Sequence, residues 1–110
     1  MQKIPKIRSP KHRKFVASQP CMITNLKGEN CNGTPVDAHH LMKMGGRGTS
    51  LKESDEWTVP LCRKHHTEVT GYGDEEVFWM YYNISYELVK DMAEFLSMQS
   101  PCDKIKASHK

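Results

Sequence analysis

The chain has 110 residues, 37% of them hydrophobic, and a mean hydropathy of −0.68, with no apolar run long enough to span a membrane. That length suits one domain with a modest core, which needs a further staple. Net charge is +3, and no apolar stretch follows the basic N-terminus as a secretory leader requires, so an intracellular protein is expected whose four cysteines ligate metal rather than pair as disulfides.

Residues 1–14 carry Lys3, Lys6, Arg8, Lys11, Arg13 and Lys14 without one acidic residue, so the remaining 96 residues sum to −3. Pro5 and Pro10 argue against a regular helix, and a flexible basic arm is expected. Such an arm either aids solubility or neutralises nucleic-acid phosphates. From Phe15 to Trp57 the chain is rich in Gly, Pro, Asn and Thr and offers two short strands, "TPVDAHHL" and "EWTVPLC". In the second, Trp57, Val59 and Leu61 alternate as on a half-buried strand. Between them Gly45, Gly46 and Gly48 mark a long loop that also holds Arg47, a further cation for a nucleic-acid partner. "CRKHHTEVTG" predicts a short helix stopped at Gly71. Asp74 is placed to cap "EEVFWMYYN", and Ser85 to cap "YELVKDMAEFLSM", whose Val89, Met92, Ala93 and Leu96 form an apolar stripe. Phe78, Trp79, Tyr81 and Tyr82 read as packing material rather than a base-stacking platform. Residues 101–110 read as a disordered tail in which Cys102 is a free thiol.

Cys62 and His65 stand at i, i+3 on the predicted helix and share a face. Cys21 and Cys31, separated by nine residues that include Gly28, complete a Cys3His set suited to structural Zn2+. His66 is rotated by about 100° from His65 on a helix and points to a second site. The other histidine pair lies in "DAHH", where the strand period puts Asp37 and His39 on one face and His40 on the other. Asp37 then suits the spare ring N–H of a ligand His39, and His40 is released to act as a base.

"CMITNLKGENC", "PVDAHHLM", the glycine loop, "SDEWTVPLCRKHH" and "FW" together resemble the HNH endonucleases of the ββα-metal (His-Me finger) superfamily, over residues 15–82. The nearest group is the phage and prophage proteins related to the recombination enhancement function nuclease. The resemblance implies an α+β fold: a zinc-stapled ββα-metal domain at residues 15–100 with additional C-terminal helices. It implies a metal-dependent endonuclease of a bacterial or phage-infected cytoplasm that hydrolyses DNA phosphodiester bonds. His39 and His66 would hold a catalytic divalent ion (Mg2+, Mn2+, Ni2+ or Zn2+), and His40 would be the general base. The Asn that often orients this base is missing, and Asp55 takes its place. Thr70 stands where many relatives carry a further metal histidine, leaving the Thr70 hydroxyl, Glu68, Asp74 or water as the third ligand. A zinc-stapled nucleic-acid-binding module without activity is the alternative that this gap suggests.

Overall fold

The computed structural model describes residues 7–41 and 54–107; Lys3, Lys6, Arg47 and the glycine loop lie outside the described residues. The first helix, α1 (Pro10–Ala17), occupies part of the expected arm. Pro10 stands at its first position, where a missing N–H costs nothing, and Ser9 Oγ accepts from His12 N–H at 3.0 Å. His12 and Val16 are buried, so this basic stretch is packed structure rather than a loose arm.

A second helix that sequence reading missed, α2 (Met22–Lys27), buries Met22 and Ile23 and ends on Gly28. Gly28 has φ +72°, a conformation open to glycine without a Cβ penalty. The strands β1 (Val36–His40) and β2 (Thr58–Cys62) follow as an antiparallel pair, with Ala38 opposite Pro60. Leu41 N–H donates to Trp57 O (2.9 Å) and Arg63 N–H to Pro35 O (2.7 Å). Odd positions along β1 therefore exchange backbone bonds, and Ala38–Pro60 is a pair without them, which is how the strand tolerates a central proline. The expected half-buried alternation in β2 does not hold: all five of its residues are buried, because helices cover both faces.

Helix α3 (Arg63–Tyr72) leaves β2 without a loop and runs past Gly71 to a cap at Gly73, whose φ of +78° meets the left-handed requirement at that point. Helices α4 (Glu75–Tyr81) and α5 (Tyr86–Met98) start at the expected caps: Asp74 accepts from Glu76 N–H and Ser85 from Leu88 N–H. Val89, Ala93 and Leu96 of the predicted stripe are buried and Met92 packs against the core. Phe78 and Trp79 are core residues, while Tyr81 is 67% exposed. The last segment is not a frayed tail over residues 103–107: α6 (Asp103–Ala107) docks with Ile105 fully buried. His12 Nδ1 lies 2.8 Å from Ser100 Oγ and ties α1 to the end of α5. Among the described residues no helix is long and apolar enough to cross a membrane.

Candidate functional site

Three groups of polar side chains surround the two-stranded sheet. The first is the cysteine cluster. The ligand atoms of Cys21, Cys31, Cys62 and His65 all lie within 4.8 Å of one another, and every cysteine is a free thiol. His65 Nδ1 faces the sulfurs, 3.1 Å from Cys62 Sγ and 3.6 Å from Cys21 Sγ. A tetrahedral zinc with bonds of about 2.0 to 2.3 Å separates its donors by roughly 3.5 to 3.8 Å, so the Cys62–His65 pair would open slightly and the widest pairs would close by about 1 Å. Its nine-residue gap is wide because it contains α2. Burial opposes the Cys62 thiolate, but the His65 backbone N–H at the start of α3, together with Cys31, Thr34 and the His65 ring, outweighs it and brings the thiol down to about 6. Burial pushes Cys31 up to about 11 despite the Thr24 hydroxyl beside it. A cluster that already favours one thiolate is primed to exchange its remaining protons for a cation.

The second group joins β1 to α3 and α4. His39 and His66 stack edge to face with ring centroids 5.1 Å apart. His39 Nε2 lies 2.7 Å from Glu75 Oε2, and His66 Nδ1 lies 3.2 Å from Asp37 Oδ2. Each carboxylate engages one ring nitrogen, so that in the neutral imidazole the other one, His39 Nδ1 or His66 Nε2, is the nitrogen that offers a lone pair. Asp37 does not serve His39 as expected. It accepts instead from His66 and from Arg63 Nε and Nη2, because the first turn of α3 crosses the sheet on the odd-numbered side of β1. The Arg63 guanidinium holds the Asp37 carboxyl below the usual range, against the burial that opposes it.

Glu75 is the residue that sequence reading passed over. It is buried, and its carboxylate also accepts from Trp79 Nε1–H and Tyr86 O–H, each at 3.1 Å. The only sequence signal was its place directly after the cap Asp74. Each of the three residues suggested as a third ligand has a partner of its own. Asp74 caps α4, Glu68 accepts from Tyr82 O–H, and Thr70 Oγ1 donates to His66 O. Thr70 does line, with His39, Val69, Gly73 and Glu75, a cleft of about 140 Å3.

The third group lies on the even-numbered side of β1. His40 Nε2 is 2.8 Å from Asp55 Oδ1, so Asp55 and His40 form a dyad. Asp55 Oδ2 accepts from Ser9 N–H (2.6 Å) and Arg13 Nε–H (3.0 Å), and Asp55 N–H donates to Ile7 O (2.8 Å). Burial alone would raise the Asp55 pKa; the hydrogen bonds from His40 and Ser9 and the Arg13 charge reverse this and lower it. Asp55 is fully buried, while the His40 side chain remains 28% exposed, so the dyad has an inner anchor and an outer working end. Of the basic residues expected to meet nucleic acid, Arg8, Lys11, Arg13 and Lys14 are described and all are exposed.

These features define a small α+β domain on a two-stranded antiparallel sheet, with a Cys/His cluster that can hold a metal ion such as zinc. The chain belongs to the family described as "Protein of unknown function (DUF968)", which matches residues 1–98. It is similar to the uncharacterized protein YdfU of Escherichia coli (strain K12), at 36% identity over 91 residues. That alignment covers 79% of this chain and 23% of YdfU, so the chain spans about a quarter of that relative's length. No solved structure matches it.

Proposed function

We propose that this domain is a metal-dependent endonuclease of the HNH type, stapled by structural zinc on Cys21, Cys31, Cys62 and His65. The observation that carries the reading is the His40–Asp55 dyad, which opens beside Arg13 and Lys14, while the carboxylate-held pair His39 and His66 lies on the other face of the same strand. Hydrolysis of a phosphodiester requires a base for the attacking water. His40 takes that proton at Nδ1, since Asp55 engages Nε2 and fixes the tautomer. Asp55 is in turn held by Ser9 and Arg13, so the ring keeps one orientation. His39 and His66, backed by Glu75 and Asp37, are the residues that would hold the divalent ion, a nitrogen and carboxylate set of ordinary type. When bound, such an ion offsets charge at the phosphate and the leaving oxygen.

Supercoiled plasmid incubated with Mg2+, Mn2+ or Ni2+ is expected to be nicked or linearised. His40→Ala should lower the rate about 10^2- to 10^4-fold while zinc content stays unchanged. Wild-type protein that cuts neither single- nor double-stranded DNA with any of these ions would refute the reading. A second reading, a zinc-stapled DNA-binding module without activity, has one observation in its favour. Among the described residues, only the Cys3His set has converging donor atoms, whereas the His39 and His66 rings are already engaged by carboxylates. It predicts one bound metal per chain by elemental analysis under conditions in which the endonuclease binds two.

A further inference from the structure

Between α1 and β1 runs an open groove of about 410 Å3. One wall is a single face of α1, with Pro10, Arg13, Lys14 and Ala17; the other includes Ala38 and ends at His40. It stays open because Pro10, Ala17 and Ala38 present no long side chain to fill it. Its charge is positive: α1 contains no acidic residue, and Asp37 at the rim is neutralised by its two bonds from Arg63.

Arg13 is the notable member. Its Nε–H donates to Asp55 Oδ2 at 3.0 Å, yet its side chain remains 44% exposed and lines the groove. A guanidinium is a rigid planar fork whose Nε–H and outer N–H groups face two anions in fixed directions, a geometry that the rotatable donors of a lysine ammonium do not hold.

We propose that this groove seats the phosphodiester backbone of DNA, and that Arg13 bridges the two halves of the site. Lys14 and the outer edge of Arg13 contact phosphates, while Arg13 Nε holds Asp55 and so positions His40. Arg13 is thus a positioning residue as well as a binding one. Binding in the groove stands by itself, and the coupling to His40 rests on the endonuclease reading. An open channel with cations along one wall and an imidazole at its end suits an extended polyanion whose ester lies against the ring.

The two halves are tested separately. Binding of a fluorescent DNA duplex and of a single strand is measured by anisotropy against NaCl, in the 110-residue chain carrying His40→Ala so that cleavage cannot interfere. Arg13→Gln and Lys14→Gln should each weaken binding about three- to tenfold and reduce the salt slope by about one. Ala17→Leu, which fills the groove without changing charge, should weaken binding comparably. Lys90→Gln on α5 is the charge-matched control. Affinity and slope unchanged in Lys14→Gln and Ala17→Leu would overturn the groove, whether or not the protein cuts DNA. For the coupling, Arg13→Lys with His40 intact should keep KM within about twofold and lower kcat at least tenfold, a split that lost binding alone would not produce. An unchanged kcat would overturn the bridge. Absence of cleavage in wild type would refute the endonuclease and the bridge together while leaving the binding result to stand.

Discussion

At the scale of single residues, Asp55 gathers partners from several parts of the chain. One buried carboxylate meets His40, Ser9 and Arg13, and its own backbone meets Ile7. Its pKa is lowered in the fold, so the stabilisation it provides is present above its unfolded value of about 3.9 and is lost as pH falls through the lower folded value. Asp55→Asn should cost about 1 to 3 kcal/mol at pH 7, because Ser9 N–H, Arg13 and His40 then lose a charged acceptor. Urea midpoints of variant and wild type should converge as pH falls below about 4. A gap that stays constant down to pH 2.5 would show that the carboxylate contributes through shape rather than charge. Asp37 has the same direction of shift, but Arg63 is largely exposed and the pair contributes little. Sequence reading reached Asp55 through the family resemblance rather than through its neighbours. The bonds that define its role come from residues 42 and 46 positions away, which no local pattern encodes.

At the scale of elements, local rules were readable where they act locally. Asp74 and Ser85 cap α4 and α5 because a cap involves only the next few residues. The strand pair was legible from its β-branched and alternating residues, and Cys62 with His65 from helical spacing. The misses have two causes, a local rule misapplied and packing that local sequence does not encode. Proline was taken as a helix breaker in residues 1–14, although at the first helical position it starts one. The six residues of α2 are too few for periodicity to announce, and they hold because Met22 and Ile23 are buried by the rest of the fold. Glu75 was missed for the same reason, since Trp79 and Tyr86 make it a buried acceptor only after α4 and α5 have packed. Helix α6 yields a test of this kind. Ile105 is fully buried, so Ile105→Ala should cost about 2 to 4 kcal/mol in urea unfolding, where a frayed tail would give no change.

At the scale of the molecule, the question is what holds so small a core together. The cysteine cluster links three separated segments: the start of α2, the turn before β1, and the β2–α3 junction. A structural zinc in such a set supplies about 10 to 16 kcal/mol, comparable with the whole stability of about 5 to 15 kcal/mol typical of a domain. Removing it by a mercurial and a chelator should therefore abolish cooperative thermal unfolding measured by circular dichroism, and added Zn2+ should restore it. Cys21→Ser should behave similarly at stoichiometric zinc. An unchanged melt after chelation, with one zinc released per chain, would show that the cluster is not the staple. The same cluster was the most legible part of the candidate site, since ligand type and helical spacing are written in the chain.

Pro60 has a consequence for assembly. It sits opposite Ala38 in a pair that exchanges no backbone bonds, so its ring nitrogen points away from β1, toward the far edge of β2. A third strand arriving there would find no donor at the centre of its ladder. The sheet thus carries its own terminator. Edge-to-edge pairing along β2 is therefore disfavoured at its centre.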